Sequence, residues 1–466
     1  MSTTPPILLS IPDELLLEIR KLLSNSDLAV LTRVCKRFFD FFEPQLYRSP
    51  TSKALNTLAF MPEDRVPLVD PHPAQYVRNL SIGFTHSGVR DFAVSIAKAL
   101  ENIEKYTPGT LESMVWDSRN SRLSIGHTLT LGEMHAGLRL STVSSITGLK
   151  IFSPFPSTIC ESSFQILNQL FLPSLRSLRF AFVEVQQPVD HDFICQILGH
   201  LPLRCPTLEH LELWLPSHIS TSALKLQQIF DCETFVFPLL KEFSVICSGI
   251  LFLLTTFIGH HPGLQELAFK VQDDNSLVDA LYNSPKIPQL HHFHSSLLPV
   301  VSVCCSYTTS LQTLSLHSLG ETFPLDSVLR QLEEALQSIP NLVKLSIDHP
   351  RHPLTDWNKS LLKTVVFTCP KLEHFECILN NTSEKRLSFI YRMIFYEKQK
   401  LRFLKFRLPR VQTPVKFQHI KTHHKAVTQV GGGRDLPVFR DIMIELCTHW
   451  DCPSVWSYLY QGKHNL

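Results

Sequence analysis

Apolar residues between positions 10 and 48 recur at helical spacing. Leu15, Leu16, Ile19, Leu22 and Leu23 fall at i, i+1, i+4, i+7 and i+8, one face of a helix. Pro12 fits that helix's first turn, and Asp13 and Glu14 suit the positive end of its dipole. Ser24-Asn25-Ser26 breaks the pattern, and Ser26 or Asp27 is placed to cap a second helix. The second stripe is Leu28, Leu31, Val34, Cys35 and Phe38, extended by Phe39, Phe41 and Phe42. Short helices cannot bury this much apolar surface on each other alone. The segment therefore either caps the next domain or docks a separate partner.

Further along, the pattern changes to Pro-x-Leu-x-x-Leu-x-Leu. Its copies are Leu175/Leu178/Phe180, Leu208/Leu211/Leu213, Leu240/Phe243/Val245, Leu264/Leu267/Phe269, a weak Leu290/Phe293, Leu311/Leu314/Leu316, Leu342/Leu345/Ile347, Leu372/Phe375/Cys377 and Leu401/Leu404/Phe406. Proline stands two residues before the first position in seven of the nine: Pro173, Pro206, Pro238, Pro262, Pro288, Pro340 and Pro370. Chance would place about 0.6 prolines there among the 31 of this chain, so the period is real. Successive starts lie 21 to 33 residues apart and average about 28, an average within the range of leucine-rich repeats. Positions i+3 and i+5 share one face of a strand, and the proline ends the preceding helix because the residue before it avoids the helical region. Helical stretches such as Ser327–Ile339 separate the strands. One strand and one helix per repeat stack into an α/β solenoid with a parallel sheet on its concave face and helices outside. The asparagine or cysteine that usually follows the strand is missing from most copies (Asn380 is the main match), which predicts an irregular array.

The N-terminal residues resemble the F-box family. Pro12, Glu14, Leu15, Ile19, Leu23, Asp27, Leu28, Leu31, Val34, Cys35, Lys36, Arg37 and Phe38 match its pattern without a gap, as do Pro44, Leu46, Tyr47 and Arg48. The departure is Ile11, where the family usually has leucine. The resemblance implies a three-helix module that binds a Skp-type adaptor and, through it, a cullin. It also implies that Pro12, Leu15, Leu16, Ile19, Leu28, Leu31, Val34, Cys35 and Phe38 build the module and its adaptor surface. The expected organisation is a tail over 1–9, an F-box over 10–48, a linker with degenerate early repeats over 49–170, the solenoid over 171–410, and a basic loop with a capping helix over 411–466. Val77, Leu80, Ile82 and Leu111, Met114, Trp116 look like early copies. The Ser/Thr-rich tract 117–165 reads as long loops, and Leu436–Cys447 as the capping helix, with Pro437 in its first turn.

Composition narrows the function classes. With 44% hydrophobic and 18% charged residues, the chain of 466 can bury large cores. A net charge of +2 points to neither nucleic acid nor a membrane surface. Apolar runs such as Ile250–Leu254 and Leu297–Cys305 fall far short of a span, and the first residues lack the pattern of a secretory signal. Twelve cysteines without a C-x-x-C pair read as buried free thiols in a reducing compartment, so the expected location is cytoplasmic, nuclear or both.

No catalytic, cofactor-binding or metal-binding pattern stands out. G-x-S-x-G and H-E-x-x-H are absent, and Gly431-Gly432-Gly433 is a flexible break rather than a phosphate loop. The histidines His260-His261, His291-His292 with His294, and His423-His424 read as solvated loop residues with no carboxylate at ligand spacing. Lys398 to Lys425 holds nine basic residues and no acidic one. Within it Lys405, Arg407, Arg410 and Lys416 are candidates for binding an acidic or phosphorylated segment. The expectation is thus a non-enzymatic receptor subunit that brings an unknown protein substrate to a Skp–cullin ubiquitin ligase, without a cofactor. The alternative is an F-box scaffold outside any ligase.

Overall fold

The computed structural model describes residues 11–60, 71–83, 89–117, 145–154, 170–183, 191–215, 228–248, 255–272, 289–295, 310–316, 325–347, 365, 368–378, 403–409, 441–449 and 452–461. The chain forms two compact units, Met1–Pro216 and Ser217–Leu466.

The first unit opens with three helices, α1 (Asp13–Leu22), α2 (Asn25–Leu31) and α3 (Lys36–Leu46), followed by the short α4 (Leu55–Ala59). Five strands then come in sequence order: β1 (Asn79–Gly83), β2 (Ser113–Asp117), β3 (Gly148–Pro154), β4 (Ser177–Val183) and β5 (His210–Trp214). Each pairs in parallel with the next. Two longer helices, α5 (Val89–Tyr106) and α6 (His191–Arg204), return the chain between strands. The helices bury Ile96, Ala99, Leu100 and Ile103 of α5 and Ile194, Ile197, Leu198 and Leu201 of α6, while the strands bury alternate side chains.

The second unit repeats the plan. Its strands are β6 (Glu242–Ser248), β7 (Glu266–Gln272), β8 (His292–Ser295), β9 (Thr313–Leu316), β10 (Lys344–Ile347), β11 (His374–Ile378), β12 (Phe403–Pro409) and β13 (Asp441–His449), parallel throughout. β14 (Cys452–Gln461) closes this order antiparallel to β13. Helices α7 (Thr255–His260) and α8 (Leu325–Gln337) lie between strands. Phe230, Phe235, Phe243 and Phe257 form an aromatic core, with Phe243 and Phe257 ring centres 4.4 Å apart.

The proline of the repeat has a local job. In six copies the leucine N–H donates to the carbonyl three residues back: Leu175 to Leu172, Leu208 to Cys205, Leu240 to Phe237, Leu264 to His261, Leu342 to Ile339 and Leu372 to Cys369, at 3.0–3.4 Å. Proline is the second residue of each of these turns, where its fixed φ is already correct. It shapes the corner into the strand as well as ending what precedes it. Pro288 lies outside the described residues.

Two sequence expectations need correction. The tract 117–165 contains a regular repeat: β3, with Ile146, Leu149 and Ile151 buried in the positions that leucines hold elsewhere. The stretch Leu436–Cys447 is not a capping helix, since 441–449 form β13. Ile442, Ile444 and Leu446 alternate at the strand period, and the ladder offered by β12 decides between the two readings.

His261 also departs from expectation, because it is buried. Its Nε2 accepts the Phe237 N–H at 2.9 Å, and its Nδ1 lies 2.6 Å from the Phe257 carbonyl oxygen. That fixes a neutral ring protonated on Nδ1, tying two successive turns. Burial, together with neighbouring His260, lowers the pKa below the usual 6.5, against the opposing effect of the Phe257 carbonyl. A lowered folded-state pKa means the stabilisation is complete above the unfolded value and is lost as pH falls from there through the folded value. Two measurements follow. Leu178→Ala, Leu211→Ala, Leu267→Ala, Leu314→Ala and Leu345→Ala, all at fully buried positions, should each lower unfolding free energy by roughly 2–5 kcal/mol in denaturant titrations. Between pH 7.5 and 5.5 the wild type should lose more stability than His261→Gln, by up to about 1.4 kcal/mol per pH unit below the unfolded value; equal losses would remove His261 from the account.

Candidate functional site: the N-terminal helical module

α1 starts at Pro12, which is the N-cap rather than a first-turn residue; its carbonyl accepts the N–H groups of Leu15 and Leu16 at 3.1 Å. α2 is capped by Ser24 in place of the expected Ser26 or Asp27. The Ser24 hydroxyl accepts the Asp27 N–H while the Asp27 carboxylate accepts the Ser24 N–H, a reciprocal capping box. The Ser24 hydroxyl, which also donates to Asp27 Oδ2, and after it the Ser24 N–H hold the Asp27 carboxyl below its usual pKa. The second apolar stripe of the sequence divides at Thr32–Cys35, so Phe38 belongs to a separate α3. Arg37 fastens α3 to α1, donating from Nη2 to the Ile11 carbonyl at 2.5 Å and to Asp13 Oδ1 at 2.8 Å.

The structure sorts the nine expected adaptor-surface residues into two classes. Leu16, Leu28 and Phe38 are core, together with Phe42, and Leu31 and Cys35 pack against them half-buried. Leu15, Ile19 and Val34 face solvent, with 55%, 37% and 54% of their surface exposed; Pro12 is exposed as well. Three further apolar residues join them: Leu17 at 44%, Leu22 at 88% and Val30 at 62%. Leu15, Ile19 and Leu22 are spaced i, i+4, i+7 and so form one stripe along α1, beside the core stripe of Leu16 and Leu23. Sequence spacing merges these two stripes because they are only one residue apart. A module this small with six large apolar side chains outside its core carries the signature of a docking surface.

The module is joined to the sheet without an intervening linker. α3 ends at Leu46, and the Arg48 carbonyl accepts the N–H groups of both Arg78 and Asn79, at 2.9 and 3.0 Å. The Pro50 carbonyl accepts the Ser81 N–H at 3.1 Å, and Asn79 Nδ2 donates to Ser49 Oγ. Residues 48–50 therefore run along β1 as the sheet's first rung.

The other candidates are less coherent. Lys405 and Arg407 lie on β12, where Lys405 is in register with Glu376 and Met443, and Arg407 with Ile378 and Glu445. Acidic residues from adjacent strands thus interrupt what reads as an unbroken basic run in sequence. Arg410, Lys416 and His423-His424 lie outside the described residues. His291 Nδ1 is 3.2 Å from the Ser310 carbonyl oxygen, and His294 Nε2 is 3.5 Å from Glu266 Oε1, a carboxylate that the sheet supplies from another repeat. Among the described residues no three His, Cys, Asp or Glu side chains group as a metal site, and no helix is long and apolar enough to cross a membrane.

Comparison with known proteins agrees with the geometry of the N-terminal module. Residues 8–53 match the F-box-like family, so this segment is an F-box-like domain. No curated protein matches the chain in sequence. Among solved structures, the leucine-rich repeat-containing protein LegL7 from Legionella pneumophila is 12% identical, with 68% of this chain and 97% of that one covered and a TM-score of 0.39. A protein from Bacteroides fragilis is 13% identical, over 57% of this chain and 74% of that one, with a TM-score of 0.33. A chain of the Toll–Spatzle complex of Drosophila is also 13% identical, over 72% and 55%, with a TM-score of 0.28.

The division between core and surface is testable in the module itself. Leu16→Ala should destabilise α1–α3 by roughly 2–5 kcal/mol, read as lost amide-exchange protection over residues 13–46. Leu15→Ala should leave that protection unchanged, and matching losses from the two variants would contradict the assignment.

Proposed function

We propose that this chain is the substrate-receptor subunit of a Skp–cullin–F-box ubiquitin ligase and has no catalytic centre of its own. The observation that supports this most strongly is the apolar stripe of Leu15, Ile19 and Leu22 left exposed on an F-box-like domain whose core is already complete. Burying a side chain of this kind contributes about 1.5–3 kcal/mol, so the stripe supplies several kcal/mol toward docking an adaptor. The adaptor in turn carries the cullin, and the parallel-stranded units offer the surface for a protein substrate.

The mechanism is proximity. A receptor raises the effective concentration of a substrate lysine near the ubiquitin-charged enzyme and positions it; no residue of the receptor takes part in bond making. The direct backbone join at Arg48–Pro50 suits this role, since a substrate held on the first unit keeps a fixed relation to the adaptor.

Two experiments test the proposal. Leu15→Asp combined with Val34→Asp should abolish capture of a Skp-type adaptor and of the cullin while the chain stays folded; undiminished recovery of both partners would overturn the docking surface. Capture of the adaptor without the cullin would favour a scaffold outside the ligase. Inserting ten Gly/Ser residues between Tyr47 and Arg48 should preserve adaptor capture yet slow ubiquitin transfer to a bound substrate, because the flexible tether lets the substrate sample many orientations. Undiminished transfer would show that the join has no positioning role.

A further inference from the structure

The first unit carries a built cluster on the sheet face opposite its buried leucines. Lys150, Arg179 and Glu212 are in register on β3, β4 and β5, and Phe152, Ala181 and Trp214 form the next row. The Arg179 guanidinium lies 5.2 Å from the centre of the Phe152 ring and 4.5 Å from that of Trp214. The two rings meet edge to face at 6.3 Å. Arg179 Nε is 3.2 Å from Glu212 Oε2, while Trp214 Nε1 donates to Glu212 Oε1 at 2.6 Å.

Trp214 Nε1 occupies Glu212 Oε1, while Arg179 faces Oε2 as an ion pair whose buried Nε–H makes no hydrogen bond. The terminal nitrogens of Arg179 and the exposed ammonium of Lys150 have no partner among the described residues. Unmet donors therefore stand next to a half-buried indole. The aromatic rings also hold the guanidinium in place, so little side-chain freedom remains to be lost on binding. Tryptophan and arginine together are the composition of an interface hot spot.

We infer that this face docks an extended acidic segment of a protein, with a Glu or Asp carboxylate paired to Arg179 and Lys150 and an adjacent apolar side chain laid against Trp214. The planar guanidinium edge matches a carboxylate in a two-point pair. A singly charged carboxylate suits the site better than a phosphate, because Glu212 already sits against Arg179 and Asp117 lies in register with Phe152. The inference names the substrate class for the receptor reading and rests on it.

The test uses the full chain, alone and mixed with a Skp-type adaptor, against decapeptide libraries with glutamate, glutamine or phosphoserine fixed at the centre and the remaining positions randomised. Glutamate peptides with a neighbouring apolar residue should be retained. Lys150→Glu and Arg179→Gln should each weaken retention tenfold or more, as should raised salt. Lys150→Glu changes an exposed side chain, and an unchanged unfolding midpoint separates its effect from misfolding. Equal retention of glutamine peptides, preference for phosphoserine, or retention unaffected by either variant would overturn the inference. Adaptor capture is scored in the same samples. Peptide selection without adaptor capture would retire the ligase reading and leave the docking face standing, and adaptor capture without selection would do the reverse.

Discussion

One backbone interaction recurs through both units, and the rest of the fold is arranged around it. Among the described residues, a single carbonyl ahead of a strand accepts two successive N–H groups from the next repeat. In the first unit the acceptors are Arg48, Arg78, Glu112, Thr147 and Arg176; in the second they are Lys241, Gln265, His291, Gln312 and Val343. Because the bond uses only main-chain atoms, it tolerates any side chain at that position. It demands instead that each repeat enter its strand at the same height. The Pro-containing turn provides that entry, and the leucines at i, i+3 and i+5 then fall on the buried side automatically. Irregular spacing between repeats is accommodated in the return segments, where no ladder constrains length.

The same constraint explains how the F-box-like domain is attached. Arg48 supplies the first carbonyl of the series, so the last residues of the helical module are also the first rung of the sheet. Side chains reinforce the join. Asn102 Nδ2 donates to the carbonyls of Leu58 and Ala59, and Ser95 Oγ to Asn56 Oδ1, locking α4 against α5. A module whose core consists of Leu16, Leu28, Phe38 and Phe42 thereby turns an apolar stripe to solvent while its opposite end is built into the unit that would carry a substrate.

Much of this was legible in sequence, for identifiable reasons. The proline phase marked half of the strands because the turn it serves is local, and the gapless motif over 10–48 marked the helical module. Features that depend on neighbours distant in sequence were not legible. Ile146, Leu149 and Ile151 lack the proline and sit in a Ser/Thr-rich tract, so β3 read as loop. Segment 441–449 carries both helical and strand periodicities, and only the pairing with β12 selects the strand. His261 looked like a loop residue because its acceptor role requires Phe237, 24 residues earlier. The basic run near Lys405 looked uniform because Glu376 and Glu445 come into register with it only through the sheet. The stripes of Leu15 and Leu16 could not be told apart by spacing, and burial separates them.

The central claim is that exposed apolar side chains on the F-box-like domain dock a Skp-type adaptor. Calorimetric titration of the full chain with a purified adaptor, repeated over a range of temperatures, addresses it most directly. Burial of apolar surface leaves a negative heat-capacity change on binding. The account expects one adaptor per chain and a clearly negative heat-capacity change that shrinks when Leu15, Ile19 and Leu22 are replaced by alanine. Absence of binding, or binding with a heat-capacity change near zero, would contradict it.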